Sequence, residues 1–114
     1  MQSYDNDISR YMIEYISDLL GINFEPQSFE IYQNFPNPFN PVTKINFDID
    51  LSSSVKLNIY NVRGQLVYEH NFGNLNSGFY SYDFDGSNLT SGVYMYNIST
   101  SKRVSPYKQM ILVK

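Results

Sequence analysis

Residues 43–60, TKINFDIDLSSSVKLNIY, contain two runs of strict alternation separated by a serine-rich break. Ile45, Phe47 and Ile49 fall on one face of the first run, with Asn46 and Asp48 on the other. Val55, Leu57 and Ile59 repeat the pattern in the second. A period of two is that of a half-buried β-strand, because successive side chains point to opposite faces. Further runs follow toward the C-terminus. GQLVYEHNF at 64–72 is a third strand, and FYSYDFD at 79–85 sets Tyr80, Tyr82 and Phe84 on one face. VYMYNIST at 93–100 sets Tyr94, Tyr96 and Ile98 against Val93, Met95 and Asn97. YKQMILVK at 107–114 closes the series with Met110 and Leu112 on one face, and FEIYQN at 29–34 adds a short edge strand. Short strands with a turn signal every 8–12 residues or so predict an all-β antiparallel sandwich of about seven strands. No helical period lies between them, so a parallel βαβ sheet is not expected.

The breaks have their own chemistry. NVRG at 61–64 joins two strands, and Gly64 supplies the positive φ of a turn with a G1 bulge. NSG at 76–78 and DGSNLTSG at 85–92 read as turns, and Gly92 is a further candidate for positive φ. Lys102 and Arg103 mark the turn before the last strand, whose pairing Pro106 should interrupt at its start. NFPNPFNP at 34–41 stands apart. Three prolines fix φ and restrict the residues before them, which predicts an extended strap outside any central ladder. Its asparagines can bond nearby backbone groups, and Phe35 and Phe39 are expected to pin it to the sandwich. The segment is either an ordered lead-in or a polyproline-type recognition segment.

Before residue 25 the period changes. In DISRYMIEYISDLLG at 7–21, Ile8, Tyr11, Met12, Tyr15, Ile16 and Leu19 form one stripe at spacings of three and four. A short N-terminal α-helix is expected, capped by Ser3 or Asp5 and ended at Gly21. A helix of this length needs a surface to pack on, either its own sandwich, an upstream domain or a partner. The chain thus divides into residues 1–28, a helix and linker, and residues 29–114, the sandwich.

Composition excludes several functions. Net charge is −3, with no cluster of Lys and Arg, so no nucleic-acid partner is expected. Cysteine is absent, which rules out a disulfide scaffold and a thiolate metal site. No apolar run approaches the roughly 20 residues of a membrane-spanning helix. The N-terminus, MQSYDNDISRYM, lacks the basic and apolar regions of a signal peptide. The protein is therefore either intracellular or a fragment whose export signal lies further upstream, and the C-terminal part favours the fragment.

No catalytic constellation is legible. His70, the one histidine, neighbours Glu69 on a strand, and strand neighbours face opposite ways, so they form no dyad. No serine sits in a nucleophile elbow, and no phosphate-binding or dinucleotide fingerprint appears. Asp48 with Asp50, and Asp83 with Asp85, share strand faces and could bind calcium, but no EF-hand-like loop supports this and a solvated polar face is the alternative. An aromatic stripe could bind carbohydrate, although Tyr80, Tyr82, Tyr94 and Tyr96 have core-facing period and Trp is absent. The reading is of no enzyme, no cofactor and no metal site.

FPNPFNPVTKINFDI, VKLNIYNVRGQLV, LTSGVYMYNI and a final KQMILVK, in that order, resemble the type A C-terminal sorting domain of the type 9 secretion system over roughly residues 31–114. They are also similar to the immunoglobulin-like domain of the flagellar hook-capping protein. The family's N-terminal motif matches Pro36, Asn37, Pro38, Phe39, Asn40 and Pro41, and its central glycine motif matches Gly64 with Val67. The L-x-x-G-x-Y motif matches Leu89, Gly92 and Tyr94, and the C-terminal signal matches Lys108, Met110, Leu112 and Lys114. Val42 replaces the commoner threonine, SKRVSPYKQM is longer than the usual last hairpin, and residues 1–28 have no counterpart. The resemblance implies an immunoglobulin-like sandwich that acts as a monomeric tail of a larger exported protein. Its cargo would lie upstream in cis. An outer-membrane translocon would read the tail and a surface sortase would remove it, after passage through the periplasm of a Gram-negative bacterium to the cell surface.

Two readings of the last strand stay open. It is an edge strand whose unpaired backbone groups a partner strand extends, with Lys108 and Lys114 for orientation and Met110 and Leu112 as anchors. Alternatively, these residues simply close the sandwich. A structural or adhesive module is the competing function.

Overall fold

The computed structural model describes residues 28–114. The expected N-terminal helix lies outside the described residues. Among them the alternating runs form seven strands: β1 (Glu30–Ile31), β2 (Val42–Ile49), β3 (Ser53–Asn61), β4 (Leu66–Leu75), β5 (Gly78–Asp85), β6 (Gly92–Thr100) and β7 (Lys108–Leu112). All strand pairs are antiparallel. One sheet has the order β1-β2-β5 and the other β4-β3-β6-β7, and neither closes into a barrel.

The faces follow the period of two. Ile45, Phe47 and Ile49 from β2 and Phe84 from β5 are buried against Val55, Leu57, Ile59, Tyr94, Tyr96, Ile98, Met110 and Leu112 of the other sheet. Each large side chain so enclosed contributes about 1.5–3 kcal/mol. At the seam between β4 and β5 the layers meet through aromatic rings. Tyr68 and Tyr82 join their hydroxyls at 2.5 Å, and His70 stacks on Tyr82 at 4.7 Å between ring centroids. Tyr80 and Tyr82 are therefore half-buried, whereas Phe84 is sealed. Glu69 forms an ion pair with Lys56 at 3.8 Å, so His70 and Glu69 share no chemistry.

The β3–β4 hairpin is built locally. The Gly64 N–H donates to Asn61 C=O at 2.9 Å, and Gly64 has φ +80°. The Asn61 side-chain oxygen accepts from the N–H groups of Arg63 and Gln65. Asn61 N–H donates to Gln65 C=O at 2.9 Å, which sets Gly64 and Gln65 against Asn61 as the G1 bulge, and a second bulge at Val67 separates the Tyr60–Leu66 and Ile59–Tyr68 pairs. The expected glycine turn and bulge are thus present.

The proline segment behaves differently from the expectation. It does not run as one extended strap held by two phenylalanines. Phe39 is 2% exposed but Phe35 is 79% exposed, so only Phe39 pins it. The three X-Pro bonds at Pro36, Pro38 and Pro41 are cis. The segment leaves β1 along β2, where Phe35 and Lys44 exchange backbone bonds at 3.0 and 2.9 Å. It then crosses to the other sheet, where Phe39 forms a parallel bridge with Leu112. Proline keeps it out of the central ladders, as expected, but it touches an edge of both sheets.

Candidate functional site

The irregular approach to β7 is dictated by its sequence. Thr100 and Arg103 close the preceding turn, with Thr100 N–H donating to Arg103 C=O at 2.7 Å. Ser105, buried, then donates its N–H to Ile98 C=O at 2.9 Å and accepts from Ile98 N–H on its hydroxyl at 3.0 Å. Pro106 has no N–H, and regular pairing resumes only at Lys108, opposite Tyr96. From there Met110 pairs with Tyr94 and Leu112 with Gly92.

The other edge of β7 is not open, which overturns the free-edge reading. Alternation turns the backbone groups of Gln109, Ile111 and Val113 away from β6. Gln109 C=O accepts from the Gln33 side-chain amide at 2.7 Å. Ile111 N–H donates to the Asn37 side-chain oxygen at 2.9 Å, and Ile111 C=O accepts from Phe39 N–H at 2.9 Å. Val113 N–H donates to Phe39 C=O at 3.0 Å. The strap thus occupies in cis the edge expected to await a partner. Its reach came from tertiary contact, which periodicity does not report.

The strap is itself held from below. Tyr96, fully buried, accepts from Asn34 N–H and donates to Tyr32 C=O, both at 2.7 Å. Burial pushes its phenol up to about 12. Asn34, also buried, donates its side-chain amide to Pro36 C=O at 3.1 Å and to the Thr43 hydroxyl at 2.9 Å. Thr43 in turn donates to Pro36 C=O at 2.8 Å. The Phe39 ring lies edge-on to Phe84 with centroids 6.2 Å apart. It covers Gly86, where an added Cβ would meet Phe39, Leu112 and Phe84 at 3.2–3.4 Å.

Three of the four sequence motifs converge here. The strap motif at Pro36–Pro41 lies beside β7. The Leu89–Gly92–Tyr94 loop adjoins the end of β7: Leu89 N–H donates to Gly86 C=O at 2.9 Å, and the Tyr94 hydroxyl to Thr90 C=O at 2.7 Å. Lys114 ties the chain end to that loop, its ammonium donating to Ser87 C=O at 2.6 Å and its N–H to the Ser91 hydroxyl at 3.0 Å. Gly64 and Val67 belong to the separate β3–β4 hairpin. Met110 and Leu112 are 0% and 1% exposed, so their side chains close the core and are out of a receptor's reach in this fold. Lys108 is half-buried at the far rim, and Lys114 is exposed. Asn40 is exposed beside Phe39. Sequence reading missed Gln33, Ser87, Ser91 and Gly86, because each acts through a residue remote along the chain.

The carboxylates do not assemble a cation site. Asp48 accepts from Ser28 and Tyr32, Asp50 pairs with Arg103, and Asp83 with Lys44. Asp85 accepts from Ser87, whose hydroxyl and N–H hold the carboxyl below its ordinary value. Among the described residues no three His, Asp or Glu side chains gather.

A family model described as the secretion system C-terminal sorting domain matches residues 33–114. No curated protein matches the chain. Among solved structures, the dimeric latent PorU of Porphyromonas gingivalis is similar, with a TM-score of 0.65 at 19% identity over 81% of this chain and 10% of PorU. FlgD of P. aeruginosa gives a TM-score of 0.48 at 20% identity over 61% of this chain and 59% of FlgD. The chain spans about a tenth of the length of PorU. With a single model covering most of its length, the chain belongs to the family of secretion system C-terminal sorting domains, tails that direct exported proteins through the type 9 system to the cell surface.

Proposed function

We propose that the chain is the tail of a larger exported protein, read at its C-terminal strand by the outer-membrane translocon of the type 9 system and then acted on by a surface sortase. In this reading residues 29–114 are an immunoglobulin-like module working as a single copy, with its cargo upstream in cis and residues 1–28 as the connection. The carrying observation is the convergence of the Pro36–Pro41 strap, the Leu89–Tyr94 loop and the last strand at one end of the sandwich. Met110 and Leu112 anchor the strand in the core and thereby set the separation of Lys108 and Lys114, which present charge at its two ends. An exposed ammonium is a contact of orientation more than of affinity.

The test fuses the whole 114-residue chain to a periplasmic reporter in a host with a type 9 system. Surface display of the reporter is expected, and retention of a folded fusion in the periplasm would refute the reading. The double variant Lys108→Gln, Lys114→Gln should fold normally yet remain in the periplasm. If it is displayed as well as the parent, the lysines are not the recognised groups.

A further inference from the structure

The edge of β7 is covered by a segment poorly suited to covering it. Two of the four bonds to that edge come from side chains, those of Gln33 and Asn37, and the other two from the backbone of one residue, Phe39. Pro36, Pro38 and Pro41 have no N–H, so the strap has few further donors for the ladder. A regular strand presents a donor and an acceptor at every second residue along such an edge. It would therefore satisfy the same groups and continue past Gln109, where the strap supplies a single amide. The strap is nonetheless tethered well beneath, through Tyr32 and Asn34 on Tyr96 and through Phe35 on Lys44. Lifting residues 36–40 and swinging the Gln33 side chain aside would free the edge at the cost of exposing Phe39, while the bonds of Tyr32, Asn34 and Phe35 stay in place.

We propose that the strap is a displaceable placeholder, and that the receptor inserts an extended strand in its place, pairing with Gln109 C=O, Ile111 N–H and C=O, and Val113 N–H. This rests on the sorting function proposed above. With the strap in place the edge is satisfied internally, which protects the domain from pairing with unrelated strands during export. The incoming strand exchanges backbone bonds one for one and adds those that the prolines cannot make. The strap and the C-terminal signal are then two parts of one switch.

Two measurements test this. In amide exchange on the full 114-residue chain, the Ile111 and Val113 N–H groups should exchange about tenfold or more faster than those of Met110 and Leu112, which face β6, since strap opening is a local event. Equal protection on both edges would overturn the proposal, whatever the outcome of sorting. The second measurement holds the strap shut. Asn40 and Val113 are exposed and lie one residue beyond the Phe39–Leu112 bridge, and the chain has no cysteine of its own. The reporter fusion carrying Asn40→Cys and Val113→Cys should lose surface display when oxidised and regain it on reduction, so that the reduced form of the same protein is the control. Undiminished display of the oxidised protein would overturn the placeholder and leave the sorting function standing. Failure of the unsubstituted fusion to reach the surface would instead count against the sorting function.

Discussion

The β3–β4 hairpin and the strap–β7 junction use the same elements, hydrogen bonds and a few special residues, but they draw on different parts of the chain. In the hairpin, Asn61 accepts from Arg63 and Gln65, and Gly64 closes onto Asn61, all within five consecutive residues. At the junction, Asn37 bonds Ile111 across a separation of 74 positions. The asparagine chemistry is shared, an exposed amide oxygen accepting a backbone N–H. The difference is that every partner of the turn lies within the hairpin itself, whereas the junction exists only when both sheets are in place. A local device stabilises one hairpin; a remote one couples the ends of the domain, and so can serve as a switch.

Substitutions can sharpen that contrast. Tyr96→Ala empties the centre of the core and removes the strap's foundation, and should cost about 4 kcal/mol in a denaturant titration. A loss under about 1 kcal/mol would mean that the ring is not enclosed. Phe39→Ala should cost about 3 kcal/mol, whereas Phe35→Ala, four residues away and exposed, should change stability by no more than about 0.5 kcal/mol. Equal effects at the two positions would break the assignment of Phe39 as the single pin. Gly86→Ala should cost about 2 kcal/mol by crowding Phe39 and Leu112. Tyr96→Phe should cost about 1 kcal/mol, since Asn34 N–H and Tyr32 C=O lose their partner. Gly64→Ala, in the local hairpin, should cost about 1 kcal/mol for its positive φ and leave exchange at Ile111 unchanged.

The same tyrosine predicts a pH dependence. Its pKa rises from 10.0 to about 12 on folding, because burial disfavours the phenolate. A raised pKa means that the unfolded chain releases the proton first. The stabilisation is therefore complete below pH 10 and is lost progressively as pH climbs to about 12. Tyr82, also raised by burial, adds to the alkaline loss in the same direction. Tyr96→Phe should flatten the decline between these limits, and an unchanged slope would place the effect elsewhere.

Much of the fold was legible. Alternation placed every strand from β2 to β7 within a few residues of its observed limits, because side-chain direction in a strand is a property of adjacent residues. The separation of His70 from Glu69 followed from the same rule. The candidate site was legible in its parts: the strap motif, the Leu89–Tyr94 motif and the last strand were each visible. Their assembly was not, and of the two readings left open for β7 the free edge fails because the strap covers it.

The sequence by itself determined the strands, their inward faces, the glycine turn and the motifs of the family, all encoded over a few neighbouring positions. Only the tertiary structure decided that Phe39 is enclosed while Phe35 is not, that Tyr96 holds the strap, and that the strap covers β7. Those outcomes depend on which remote surfaces meet when two sheets pack, and no window along the chain contains both partners.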